Sequence, residues 1–126
     1  MSLRNEGVAP TTVTTLVDLN TVGDTAVHVP FAKYIIRRMT AFDVSTTLAA
    51  SSATLGAYTG AAAGGNLIST PATKVGLTAA AKFLDCTIAS PSTTDYQTAS
   101  TIYIRVGVAN GAAATCSVAF ELECLE

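Results

Sequence analysis

The chain has 126 residues, a formal net charge of -2 and 13% charged residues, against 49% hydrophobic. That length can bury a core as one domain without metal or disulfide support. Seven Lys and Arg scattered along an acidic chain exclude a broad electrostatic attraction to nucleic acid or to anionic membranes.

An ordinary domain carries about 25% charged residues, so this one is poor in charge. The deficit is concentrated: from Val44 to Thr73 there is no Asp, Glu, Lys, Arg or His. Of the hydrophobic residues 22 are Ala, so large core residues are fewer than the total implies; Thr contributes 20 residues and Trp none. Abundant Thr and Val favour strands over helices.

Residues 1–10 read as an arm able to dock on a neighbour, and 11–126 as one β-domain. Arg4, Asn5 and Glu6 interrupt the first ten residues, so no secretory segment is expected there. Thr12 to Leu19 places Val13, Val17 and Leu19 on one parity. Ala26 to Phe31 places Val27, Val29 and Phe31 inward and His28 outward, with Pro30 limiting the ladder. Lys33 to Val44 is long and apolar on both parities: Tyr34, Ile36, Phe42 and Val44 against Ile35, Met39 and Ala41. Either a bulge sits near Arg37-Arg38 or another subunit covers the outer face.

Ala53 to Thr59 predicts a weaker strand, Lys74 to Leu77 a short one, and Thr78 to Lys82 at most one helical turn. Lys82 to Ala89 groups Leu84, Cys86 and Ile88. Thr101 to Val108 alternates cleanly, with Ile102, Ile104, Val106 and Val108 on the dry side. Asn110-Gly111 follows as a hairpin signal. The last strand then alternates Cys116, Val118, Phe120, Leu122 and Cys124 against Ser117, Ala119, Glu121 and Glu123, and is expected to pair with the strand before the turn. About eight short strands with turn residues between them, and no sustained 3.6 period, predict an all-β fold: a single antiparallel β-sandwich with jelly-roll or Greek-key connections.

No residue set spells out a reaction. Gly60 to Gly65 has the glycine spacing of a phosphate loop but Asn66 and Leu67 stand where Lys is needed, so it reads as a flexible connection. Gly56, Gly60 and Gly64 share a helix-packing spacing. Leu48, Leu55, Leu67 and Ile68 are too few large aliphatics for a membrane span. His28, the one histidine, lies on an outward parity with no nucleophile elbow near it. Asp85 and Asp95 are separated by an undefined loop, which licenses no carboxylate pair. Cys86, Cys116 and Cys124 show no zinc spacing and read as reduced thiols. In extended chain Cys116 and Cys124 stand roughly 26 Å apart, too far to pair with each other, although Cys86 could meet either. No catalytic, cofactor or metal residue is expected. Adjacent in a strand, Arg37 and Arg38 would point to opposite faces. Glu121 and Glu123 form an acidic outward edge.

Two stretches resemble the small β-sandwich proteins that decorate or cement tailed-bacteriophage heads. Lys33 to Ile68, KYIIRRMTAFDVSTTLAASSATLGAYTGAAAGGNLI, runs from a long strand through a Ser/Thr turn into an Ala-rich strand and a Gly-rich loop. Thr101 to Leu125, TIYIRVGVANGAAATCSVAFELECL, forms the closing pair. The resemblance covers about half the chain and carries no catalytic residues. It implies a virion protein, made in the host cytoplasm, that binds the major capsid protein as a homo-oligomer, with a trimer favoured. Minor tail or baseplate components use similar sandwiches. The candidate interface residues on this reading are Tyr34, Ile35, Met39, Leu55, Ala57 and Tyr58. Residues 44–73 are then expected at subunit or capsid contacts, and Lys at Ala57 or Ala62 to harm assembly more than folding. A carbohydrate-binding sandwich is the alternative, with Tyr58, Tyr96 and Tyr103 as stacking candidates.

Overall fold

A computed structural model describes residues 11–48, 53–74, 77–79, 81–89 and 95–125. The described residues contain eight strands and no helix: β1 (Thr11–Asp18), β2 (Gly23–His28), β3 (Tyr34–Phe42), β4 (Thr54–Gly60), β5 (Gly64–Thr73), β6 (Phe83–Cys86), β7 (Thr101–Val106) and β8 (Thr115–Cys124). They form two four-stranded antiparallel sheets, ordered β1-β8-β3-β6 (sheet A) and β2-β7-β4-β5 (sheet B).

That order has a simple origin. First pairs with last, second with seventh, third with sixth and fourth with fifth. The chain is one long nested hairpin with β4–β5 at its tip, rolled until β8 meets β3 and β7 meets β4. This is the jelly-roll connection. Each sheet is dry on one face only, which is why the strands alternate in sequence. On β8, Cys116, Val118, Phe120 and Leu122 are buried while Ser117, Ala119, Glu121 and Glu123 are partly exposed. On β7, Ile102, Ile104 and Val106 are buried. Val108 lies past the strand end and is exposed.

The connections gather at the two ends of the sandwich. Leu19 N donates to Ala114 O, Ser45 N to Thr115 O, and Leu48 N to Leu77 O, so the β1–β2, β3–β4, β5–β6 and β7–β8 connections share one end. At the other, Tyr34 exchanges backbone hydrogen bonds with Gln97, and Val29 N donates to Ser100 O.

The structure corrects several sequence expectations. β7 and β8 are not a hairpin; they lie in different sheets. Asn110-Gly111 does form a turn, with Gly111 at φ +91, but Asn110 N donates to Leu19 O and Gly111 N to Asn20 Oδ1. The turn is docked on the β1–β2 connection while the chain crosses between layers roughly 10 Å apart. The uncharged interval holds two strands, not only the one expected from Ala53 to Thr59. β5 pairs with β4 through three register shifts, and its glycines and Pro71 hid it. The Lys74 to Leu77 strand is not formed: Lys74 and Leu77 lie outside any strand, and Leu77 N donates to Lys74 O. Residues 75, 76 and 80, like the arm 1–10, are outside the described residues.

The two-sided apolar pattern of β3 is resolved by a bulge between Ile36 and Arg38. Tyr34 and Ile36 face the core before it, Met39 and Ala41 after it. The inserted residue switches the parity, so no covering subunit is required to explain the pattern.

Candidate interaction faces

The interior accounts for four of the six candidate interface residues. Tyr34, Met39, Leu55 and Ala57 are each 0% exposed. They are core, and leave no side-chain surface for a partner. Ile35 and Tyr58 remain partly exposed. The uncharged interval is explained in the same way: Val44, Leu48, Ala53, Leu55, Ala57 and Ile68 are buried within this chain. A charge-free sequence was read as a covered surface, but much of it is core.

What the sandwich presents outward is set by register. On sheet A, Leu16 opposes Ser117, Ser117 opposes Phe42, and Phe42 opposes Phe83. These four form one row across the whole sheet. Leu16 is 64% and Phe83 61% exposed. The next row is Thr14, Ala119, Thr40 and Asp85, and the one after it Thr12, Glu121 and Arg38. The apolar row lies at the β1–β2 end of the molecule.

The bulge brings both arginines to this face, against the expectation that they point apart. Arg38 donates from Nε to Asp85 Oδ1 at 2.7 Å and from Nη2 to Asp85 Oδ2 at 3.2 Å. Thr40 Oγ1 adds a third hydrogen bond to Asp85 at 3.0 Å. The Arg38 hydrogen bonds hold the Asp85 carboxyl below its usual range, with Thr40 assisting. Arg38 also lies 5.7 Å from the Phe83 ring centroid. Arg37 Nε donates to Glu123 Oε1 at 2.7 Å. Exposed pairs of this kind add little to folding but fix where the charges stand.

Sheet B presents a different face. Ala26 opposes Tyr103, Tyr103 opposes Tyr58, and Tyr58 opposes Leu67. Two of the three tyrosines singled out in the sequence are therefore direct cross-strand neighbours. Tyr96 is elsewhere, exposed, with Lys33 Nζ 5.3 Å from its ring centroid. Beside the tyrosine row, Gly56 is buried under Pro71; a Cβ there would stand 2.9 Å from Pro71 Cγ. Arg105 donates to Asp24 at 3.1 Å, and Asp24 also accepts from Ala62 N at 2.8 Å. That bond pins the β4–β5 turn, where Ala62 and Ala63 both adopt positive φ.

The remaining chemical candidates are dispersed. His28 is exposed at the end of β2. Asp85 and Asp95 are in different environments, one on sheet A and one on the β6–β7 connection. Cys86 and Cys116 are buried free thiols; burial pushes Cys86 up and Cys116 up to about 12. Among the described residues no group of three or more His, Cys, Asp or Glu is placed to hold a metal ion. Among the described residues no helix is long and apolar enough to cross a membrane.

No family model matches the chain, and searches of curated proteins and of solved structures find no match. The arrangement of side chains therefore carries the functional reading. Parity of single strands foretold the outward Glu121 and Glu123. It missed the Leu16–Phe83 row, because that row joins four strands from distant parts of the sequence.

Proposed function

We propose that this chain is a non-enzymatic structural subunit of a virus particle, a head decoration or cement protein of the tailed-bacteriophage type, acting as a homo-oligomer. The observation that carries the reading is the exposed apolar row Leu16–Ser117–Phe42–Phe83 on a rigid jelly roll. Leu16 and Phe83 are strongly exposed, Phe42 is partly exposed and Ser117 separates Leu16 from Phe42; exposed apolar side chains aligned on one face are a surface for another protein. The resemblance of Lys33–Ile68 and Thr101–Leu125 to cement proteins supports the particle assignment, and with it the major capsid protein as partner. In this role each sandwich serves as a stiff block, and the arm with the end connections grips the shell.

The test is to incubate the purified chain with heads of its own phage and sediment them. Saturable binding at a fixed number of copies per head, with heads that better withstand heating, is the expected result. A chain that stays in the supernatant overturns the head assignment.

One observation favours a second reading. Tyr58 and Tyr103 stand side by side on sheet B, as a platform for the apolar face of a sugar would require. A tail or baseplate sandwich that binds carbohydrate would use them. Binding on a glycan array that is lost in Tyr58→Ala is its signature; an array without hits removes it.

A further inference from the structure

We propose that the outer face of sheet A is a two-fold contact between two copies of this chain. The inference rests on the homo-oligomer part of the reading above and is independent of which particle the protein serves.

The argument is one of symmetry and charge. Sheet A runs β1-β8-β3-β6. A two-fold axis parallel to the strands, midway between β8 and β3, lays β8 over β3 of the second copy and β1 over β6. Rows stay level under that rotation. Leu16 then faces Phe83 of the second copy, and Ser117 faces its Phe42. Ala119 meets Thr40, and Glu121 meets Arg38. Every exposed apolar residue of the row finds an apolar or small partner. Glu121 on β8 thus lies over Arg38 on β3 of the second copy, while Glu123, level with Ile35, stays bound to Arg37 of its own chain. A two-fold contact must be self-complementary in this way, and charge matching of this kind selects orientation.

The charges are available for the purpose. Arg38 uses Nε and Nη2 on Asp85 and has Nη1 left. Glu121 is near enough to add to the raised pKa of Arg38, and among the described residues it forms no ion pair. Four strands spaced about 4.8 Å apart, over seven or eight rows, give a face of roughly 450 Å² per copy. Over both copies that is about 900 Å², under the roughly 1,200 Å² of a stable complex, so the dimer is a weak one that should dissociate on dilution. The face argues for two-fold order where the resemblance to cement proteins implies three-fold order.

The experiment is sedimentation of the isolated full chain across a concentration series, without capsids. The wild type should form a reversible dimer. Leu16→Lys, which sets a charge against Phe83 of the second copy, should weaken it at least tenfold, with the melting temperature unchanged at dilutions where both proteins are monomeric. Glu121→Arg and Arg38→Glu should each be monomeric, and an equimolar mixture of the two should form a heterodimer. Loss of folding in either variant would not be repaired by mixing, so the rescue separates contact from stability. A wild-type monomer throughout, a trimer with no even-numbered species, or two variants that fail to combine overturns the proposal. Failure here with heads still bound would leave the decoration reading standing; the converse would remove that reading alone.

Discussion

The strands from Thr101 to Cys124 and the interval from Val44 to Thr73 are opposite kinds of β-structure. β7 and β8 are central in their sheets, each with a neighbour on both sides, and they alternate without interruption. β5 is an edge strand; it pairs with β4 through three register shifts, and their turn holds two alanines at positive φ. The difference teaches that a strand in regular register is written by its own alternation, whereas β5, joined to β4 through three register shifts, exists because of its partner. Both regions feed one core. An absence of charge therefore identifies burial without saying whether the covering surface belongs to the same chain.

The sharpest way to break that comparison is Ala57→Lys. Its site is fully buried, and an unpaired ammonium there carries a desolvation cost of several kcal/mol. The expected outcome is loss of the folded monomer by circular dichroism, not a selective assembly defect. A folded monomer that merely fails to assemble would return Ala57 to the surface.

Next in size is Phe120→Ala on β8. It deletes a fully buried ring and should cost about 3–5 kcal/mol in urea unfolding. A loss under 1 kcal/mol would mean that the central strand is not the anchor of the core.

A pH series probes the place where β3 meets the β6–β7 connection. Tyr34 is buried, donates its hydroxyl to Ala99 O at 2.7 Å, and has a pKa pushed up to about 12 by desolvation. A raised folded pKa favours the native state fully below the unfolded value near 10. That share is lost as pH rises toward 12, amounting to about 2–3 kcal/mol. Cys116, also raised to about 12 by burial, acts with the same sign from pH 9 upward. Tyr34→Phe should shallow the alkaline decline between pH 10 and 12; an unchanged slope would exclude Tyr34 as its source.

The smallest effect concerns the hairpin turn. Ala63 sits at φ 64, where an L side chain costs about 1–2 kcal/mol. Ala63→Gly removes that strain, offset in part by the added freedom of the unfolded chain. A gain of a few tenths of a kcal/mol to 1 kcal/mol is expected, and a loss would place other contacts above backbone strain there.

Much of the fold was legible in the amino-acid order. Seven of the eight strands, most of the inward sets of β1, β2, β7 and β8, and the sandwich class follow from parity, because a sheet dry on one side imposes period two on every strand; the exposed Val108 and the unformed Lys74 to Leu77 strand are where parity failed. β5 was not legible, since Gly64, Gly65 and Pro71 imitate a loop. The candidate interface was legible only in part. Ile35 and Tyr58 kept some exposure, but Tyr34, Met39, Leu55 and Ala57 went to the core.

By itself, then, the sequence determined which residues seek a dry face and where the chain turns, because both depend on neighbours a few positions away. Only the tertiary structure decided which strands meet. Asn110-Gly111 turns the chain as its residues require, yet it carries β8 to the other sheet, because the nested pairing of β1 with β8 and β2 with β7 dictates the partners. The bulge at Ile36–Arg38 and the row Leu16–Ser117–Phe42–Phe83 have the same status. Each is a matter of register between strands distant in sequence, and register is settled by packing the whole core at once.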